Sequence, residues 1–325
     1  MLPDWLQSEF EPLAEMATRD KLPHALLIHG PAGTGRRLLA LTIIGRLLGF
    51  DLPEVGAATA TGALVDEERA PAHPDFRLVQ IPPEKRFIPI DSIRHLIGFL
   101  SLTSHQRGYK AALINPANAM TRDAANSLLK TLEEPPGASV VILITDSLSR
   151  LPATVVSRCH RIRVAVPPTA AALDWLVRNG GPSDWEPVLA LAGGAPVRAL
   201  AYREEGAIEK VADFARDLDA LARRRASPVE VARRWARVDP DLCLNWLYQA
   251  IASELRAVGE PDNGQGGPKT RNVRLQNGAK SLNIERTFGD LRKVGELKRL
   301  QGRGLNAELQ LSGILTRWYG AQPSA

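Results

Sequence analysis

Three short, almost wholly apolar runs constrain the fold of this chain more than any other feature. They occupy residues 25–29, 111–115 and 140–145. Strands that are apolar on both faces are typical of parallel sheets, because helices cover each side of such a sheet. Segments with helical periodicity separate the runs from Leu22 to Ile162. The sequence therefore predicts an α/β domain with a parallel sheet.

One helix between the second and third runs is well marked at both ends. Thr121 is suited to cap the N-terminus of this helix, and the negative charge of Asp123 suits the positive end of the helix dipole. Pro135 and Pro136 end the helix, because proline cannot continue it. Its apolar positions recur on one face, at Ala125, Leu128, Leu129 and Leu132. This spacing predicts a helix packed against the sheet.

The chain of 325 residues is longer than one hydrophobic core usually organises. Pro167 and Pro168 mark a boundary, because proline removes a backbone donor and restricts the preceding residue. After them the pattern is helical, with short helices expected near residues 170–178, 185–191 and 197–202. A glycine- and proline-rich stretch at residues 260–268 predicts a connection between later helices.

A glycine-rich segment, GPAGTGRR, follows the first apolar run, with glycines at Gly30, Gly33 and Gly35. Such glycines let backbone N–H groups converge on phosphate oxygens at a helix N-terminus, as in a P-loop. A working P-loop also needs a lysine for the phosphates and a hydroxyl for magnesium, but Arg36 and Arg37 stand there. Either Arg36 binds a phosphate without turnover, or the loop keeps its turn for packing alone.

The second apolar run ends without the acidic residues that nucleotide hydrolysis needs. In nucleotide-hydrolysing proteins of this architecture, that strand ends in a carboxylate that holds magnesium, often followed by a glutamate that activates water. Here Asn115 and Pro116 stand at those positions. Two defects in the same chemistry indicate a chain that does not hydrolyse ATP.

Composition excludes several other classes of protein. Only Cys159 and Cys243 are present, too few for a disulfide framework or a thiolate zinc site. No apolar run is long enough to span a membrane, and the N-terminus lacks the pattern of a secretion signal, so we expect a cytoplasmic protein. The net charge of +5 is compatible with a nucleic-acid partner without requiring one.

Residues 119–136 and 151–159, together with the apolar strand between them, resemble the clamp-loader subunits of bacterial DNA polymerase III. The resemblance extends from about residue 22 to 167 and is only architectural beyond. Among those subunits, the altered P-loop and the missing acidic pair resemble the delta-prime class rather than the ATP-hydrolysing gamma or tau class. An active ATPase that uses Arg36 in place of lysine is the alternative.

The resemblance implies three domains and a set of partners. The domains are a RecA-like AAA+ module at 1–166 with a degenerate P-loop, a small helical lid at 167–206 and a helical collar at 207–325 that joins subunits into a ring. The chain then acts as a stator with the gamma or tau and delta subunits. Together they place the sliding clamp (beta) on primed DNA.

The resemblance also gives Arg158 a role, within the motif formed with Ser157 and Cys159. By analogy Arg158 is an arginine finger that enters the ATP site of a neighbouring gamma or tau subunit. A guanidinium supplied in trans stabilises negative charge on the transferring phosphate. The simpler alternative is that Arg158 caps a strand or pairs with a local carboxylate.

Related subunits carry a four-cysteine zinc module where this chain has residues 52–75 without cysteine, so we expect no zinc. We also expect no required nucleotide cofactor. Arg198 lies where AAA+ lids often place a nucleotide-sensing arginine, and the alternative is an ordinary residue at a helix start. For the arginines at 223–225 and 233–234 the sequence leaves two alternatives, contact with DNA phosphate or a solvated helix surface. The helical tryptophans predict core or interface anchors.

Overall fold

The computed structural model describes residues 2–50, 73–105, 108–259, 284–300 and 306–319. The predicted connection at 260–268 and most of the segment at 52–75 lie outside these residues. The chain divides into two compact units. Unit 1 comprises Met1–Trp185 and Gly194–Ala201, and unit 2 comprises Glu186–Gly193 and Tyr202–Ala325. The three-domain division at 166 and 206 stays a prediction.

Unit 1 is built around a five-stranded sheet in which every pairing is parallel. The strands, in chain order, are β1 (Ala25–His29), β2 (Phe76–Val79), β3 (Lys110–Ile114), β4 (Ser139–Thr145) and β5 (His160–Arg163). Their spatial order is β2-β3-β4-β1-β5, so β1 lies between β4 and β5. The predicted parallel α/β sheet is confirmed, and the three apolar runs are its central strands.

Helices precede, connect and follow these strands. Those before and within the sheet are α1 (Asp4–Thr18), α2 (Arg36–Leu48), α3 (Ile90–Leu100), α4 (Arg122–Glu133) and α5 (Ala153–Val156). Those that follow are α6 (Thr169–Gly180), α7 (Glu186–Leu191), α8 (Pro196–Glu204), α9 (Ala207–Ala222), α10 (Pro228–Val238), α11 (Pro240–Gly259), α12 (Ile284–Leu300) and α13 (Ala307–Tyr319). Within the described residues, all strands therefore precede Pro167, as the sequence predicts.

Alternation along the strands divides the apolar core of unit 1 into two layers. Leu26 and Ile28 of β1 pack on one face with residues of α1 and α2. Leu27 faces the other side with residues of α3, α4 and α5. Because successive side chains of a strand point to opposite faces, one buried strand supplies both layers. This sandwich holds the ends of β1, β3 and β4 in fixed positions.

The marked helix of the sequence is α4, and its ends are as predicted. The Thr121 hydroxyl accepts a hydrogen bond from the Ala124 backbone N–H at 3.2 Å, which satisfies one of the free donors of the first turn. The helix ends at Glu133, two residues before Pro135. Leu132 in its last turn is 1% exposed, which anchors this end to the core.

Unit 2 is helical throughout its described residues and has an aromatic centre. The rings of Phe214, Trp235 and Trp246 lie within 5.0–6.0 Å of one another, centroid to centroid. The indole N–H of Trp235 donates to Asp217 at 2.8 Å. These tryptophans are core residues, whereas the side chain of Trp318 lies outside the described residues.

Candidate functional site

The glycine loop joins β1 to α2 and fits tightly against its surroundings. Gly30 and Gly33 have φ angles of 146° and 81°, which favour glycine. A Cβ on Gly33 would stand 2.5 Å from the Cβ of Arg198 in α8, and one on Gly30 would stand 2.0 Å from the Val164 carbonyl oxygen. The glycines are therefore required by packing within this chain as well as by the turn itself.

Hydrogen bonds within unit 1 occupy two carbonyls and the hydroxyl of the loop. The Val197 backbone N–H donates to the Gly33 carbonyl at 3.0 Å, and the Trp5 indole donates to the Thr34 carbonyl at 2.9 Å. The Thr34 side chain is fully buried, and its hydroxyl donates to the Pro31 carbonyl at 2.9 Å. The hydroxyl that the loop itself carries is thus already committed to the turn.

Arg36 is the first residue of α2 and lies partly buried behind the loop. The pKa of Arg36 is lowered to about 10: burial is the main cause, the charge of Asp146 opposes it, and that of Arg198 adds to it. Its Nη1 atom is buried and has no hydrogen-bond partner within the described protein. Arg37, the next residue of the helix, is buried, with only 8% of it exposed. The structure thus brings Arg36 and Arg198 together beside the predicted glycines.

The ends of β3 and β4 carry amide and hydroxyl groups beside a single carboxylate. Thr145, the last residue of β4, donates from its hydroxyl to the Asn118 side-chain oxygen at 3.1 Å. Asp146 follows and pairs with Arg150 at 3.2 Å. Asn115, where hydrolysing relatives need an acid, carries no charge. Asp146 is not identifiable from sequence, because nothing in its local pattern places it near Arg36.

Arg158 forms a second candidate site, at the turn between α5 and β5. Its Nε donates to Glu133 Oε1 at 2.5 Å, its Nη2 pairs with the same oxygen, and its Nη1 donates to the Thr154 carbonyl at 3.0 Å. The side chain is 34% exposed. Glu133 is therefore a local carboxylate partner of Arg158, the alternative that the sequence leaves open. None of these bonds reaches the glycine loop.

The neighbours of Arg158 in its motif have different surroundings. Ser157 is exposed and donates from its hydroxyl to the Thr154 carbonyl at 3.2 Å. Burial raises the pKa of the Cys159 thiol to about 11, so it stays protonated at neutral pH. Cys159 packs against the apolar layer formed with α4 and α5. It therefore supports the turn rather than offering a nucleophile.

Exposed basic residues follow along β5, which is an edge strand. The register places Arg163 beside His29 and Arg161 beside Leu27. Burial lowers the pKa of His29, and the charges of Arg163, Arg161 and Arg36 lower it further. Strand β5 thus places positive charge beside His29 at the edge of the sheet.

The basic runs of unit 2 are largely paired with acids. Arg223 bonds Asp219 at 3.0 Å, Arg233 bonds Glu308 at 3.1 Å, and Arg234 bonds Asp217. These pairs favour a solvated helix surface over a DNA-binding one.

Across the described ranges, no group of three His, Cys, Asp or Glu side chains is arranged to hold a metal ion. No helix in those ranges is long and apolar enough to cross a membrane.

Comparisons with known proteins agree on one family. A family model described as "DNA polymerase III, delta subunit" matches residues 6–168. The chain is 32% identical over 310 residues to DNA polymerase III subunit delta' of Pseudomonas aeruginosa, covering 94% of each protein. It is 27% identical over 321 residues to subunit delta' of Haemophilus influenzae, covering 96% of this chain and 95% of the relative.

One solved structure has the same fold over nearly the whole chain. It is a DNA polymerase III gamma subunit-related protein from Thermotoga maritima, with a TM-score of 0.50 and 19% identity. The match covers 96% of this chain and 98% of that protein. At this identity the likeness concerns the fold alone.

Proposed function

This chain belongs to the delta-prime family of DNA polymerase III subunits, and on that basis we propose that it is a non-catalytic subunit of the clamp loader. It works in the cytoplasm beside gamma or tau and delta. It serves as a stator while the assembled complex places the sliding clamp on primed DNA. Its contribution to ATP hydrolysis is a cation supplied to a neighbour's site.

The residues around the glycine loop carry the non-catalytic part of this proposal. Magnesium takes oxygen ligands, usually carboxylates, hydroxyls and phosphates. Here the Thr34 hydroxyl is buried and bonded to Pro31, Arg37 stands at the ligand position, and Asn115 replaces the acid. These residues do not fit a magnesium-bound triphosphate held for cleavage.

The same geometry supports a packing role for the loop, with neither nucleotide nor zinc required. The carbonyls of Gly33 and Thr34 accept bonds from Val197 and Trp5, and Gly33 is in contact with Arg198. These contacts fix α1 and the start of α8 to the loop. The competing candidate is an active ATPase in which Arg36 replaces lysine, which the unpartnered Nη1 of Arg36 favours.

The isolated chain separates these candidates. We expect no magnesium-dependent phosphate release from the purified wild-type protein. Any background release should be the same in Arg36→Ala. Hydrolysis that scales with protein through successive columns and disappears in Arg36→Ala would establish the ATPase instead.

The exposed turn at Arg158 supports the trans-acting part of the proposal. Arg158 is 34% exposed and retains N–H groups beyond those bound to Glu133 and Thr154. In the reconstituted complex, Arg158→Ala should lower turnover at the adjoining gamma or tau site by about a thousandfold or more, the usual effect of an arginine finger. Clamp- and DNA-stimulated ATPase measures the effect, and gel filtration checks assembly.

Arg161→Ala is the matched control, because Arg161 is an exposed arginine of the adjacent β5. It should leave turnover close to wild type. Unchanged turnover in Arg158→Ala, with assembly intact, would remove the trans-acting role.

A further inference from the structure

Glu133 holds the guanidinium of Arg158 along one edge, although nothing in the sequence pattern assigns it a role. The Nε and Nη2 atoms of Arg158 both contact Glu133 Oε1, the first at 2.5 Å. The Nη1 atom donates to the Thr154 carbonyl at 3.0 Å. Two acceptors on different helices therefore fix both the plane and the direction of the guanidinium.

These bonds leave part of the guanidinium available. A guanidinium has five N–H donors arranged in a rigid fork. Glu133 accepts the Nε N–H and forms an ion pair with Nη2, and the Thr154 carbonyl accepts one N–H from Nη1. The Ser157 hydroxyl lies 3.5 Å from Nη1, which is too long for a strong hydrogen bond. One N–H on each terminal nitrogen can therefore bind phosphate oxygens.

The two acceptors are attached to a well-packed part of unit 1. Glu133 follows Leu132, which is 1% exposed, at the end of α4. Thr154 precedes Val155, which is fully buried in α5. Leu132 and Val155 belong to the same apolar layer. The backbone therefore fixes the spacing between α4 and α5 at this point, and Arg158 spans it with its long side chain.

We propose that Glu133 is the positioning residue for Arg158, holding its guanidinium so that the two remaining terminal N–H groups meet a phosphate of the neighbouring subunit's nucleotide. This inference rests on the proposed trans-acting role of Arg158. It adds that the finger is preorganised before assembly, so that ordering of the side chain is not required when the neighbour binds. Glu133 acts through Arg158 and does not itself contact the nucleotide.

The test uses three variants in the reconstituted complex: Glu133→Ala, Glu133→Gln and the control Glu134→Ala. Glutamine keeps an oxygen that accepts from Nε and Nη2 but removes the negative charge. Glu134 is an exposed carboxylate adjacent to Glu133, which makes it a matched control. Stimulated ATPase is measured over a range of ATP concentrations, with gel filtration for assembly and urea unfolding for each free subunit.

We expect Glu133→Ala to lower kcat at the adjoining site by about tenfold, because a misplaced catalytic group loses rate even when it is present. KM, assembly and unfolding should stay near wild type. Glu133→Gln should restore at least about a third of the lost turnover, since the acceptor geometry is kept. Glu134→Ala should match wild type.

Other results overturn the inference. Wild-type or faster turnover in Glu133→Ala, together with slow turnover in Arg158→Ala, would make Glu133 a mere counter-ion. Equal loss in Glu133→Ala and Glu133→Gln would assign the effect to charge rather than position. Normal turnover in Arg158→Ala is a different failure, because it would refute the proposed function on which the inference rests.

Discussion

Arg36 is a charged residue that the structure places at an unfavourable position. It lies at the first position of α2, where the helix dipole disfavours a cation, and its Nη1 is buried without a partner in the described protein. Burial and the nearby Arg198 lower its pKa, and Asp146 only partly offsets them. This side chain therefore reduces the stability of the chain.

Arg36→Met should raise the free energy of unfolding by about 1 kcal/mol, because methionine fills similar space without leaving a buried donor unsatisfied. Urea unfolding at pH 7 measures the change. Arg122→Met is the control, since Arg122 is also the first residue of a helix but is exposed. A less stable Arg36→Met would show that attraction to Asp146 outweighs the desolvation of Arg36.

At the level of elements, a buried ion pair fastens β2 to β3. Lys110 Nζ lies 3.4 Å from Asp75 Oδ1, with both side chains at most 5% exposed. The Asp75 carboxylate also accepts the His105 backbone N–H at 2.9 Å, and the Lys110 ammonium lies 4.0 Å from the Phe99 ring centroid. The sequence alone gives Asp75 no role, because it is the last residue of the segment 52–75, to which no function is assigned. In the structure Asp75 is a structural residue.

Lys110→Met should destabilise the chain by roughly 3–5 kcal/mol, because it removes the buried cation that lies 3.4 Å from the Asp75 carboxylate. The double variant Asp75→Asn/Lys110→Met should be more stable than Lys110→Met alone, since the asparagine side chain is neutral and still accepts from His105. A double-mutant cycle by urea unfolding measures both effects.

The control for this ion pair is Arg94→Met, which breaks the exposed pair between Arg94 and Asp91. It should cost less than about 1 kcal/mol, because water already solvates both charges. Equal costs for Lys110→Met and Arg94→Met would refute the buried-charge account.

In the molecule as a whole, each unit has its own core. That of unit 1 is mainly aliphatic and formed by the strands and helices on both faces of the sheet. That of unit 2 centres on Phe214, Trp235 and Trp246, with the Trp235 indole bonded to Asp217. The sequence marks these tryptophans as anchors, but only the structure shows that they meet.

Trp235→Ala should lower the free energy of unfolding by about 3–5 kcal/mol, because it opens a cavity in this aromatic centre. Trp235→Phe should cost less, since it keeps a six-membered aromatic ring and loses the bond to Asp217 and part of the indole volume. Urea unfolding followed by circular dichroism measures both variants. If Trp235→Ala cost less than about 1 kcal/mol, the aromatic centre would not contribute to the stability of unit 2.

Much of the fold of unit 1 is predictable from sequence because its signals are local. The central strands β1, β3 and β4 are continuous apolar runs, and α4 has a capping threonine and terminating prolines. The sequence does not predict β2, α3 and β5 as individual elements. Strand β5 has the sequence His-Arg-Ile-Arg and buries only Ile162, so it lacks the apolar run of a central strand. Its place at the sheet edge is set by pairing with β1.

The lack of magnesium ligands at Arg37 and Asn115 can be read from the residue types alone, since a position either carries a hydroxyl or carboxylate or does not. The partners of the polar groups, in contrast, depend on how the chain packs. Glu133 meets Arg158 across 25 positions, and Trp5 meets Thr34 across 29. Residue types give the possible hydrogen bonds, but the packing of α4, α5 and α1 on the sheet selects which of them form.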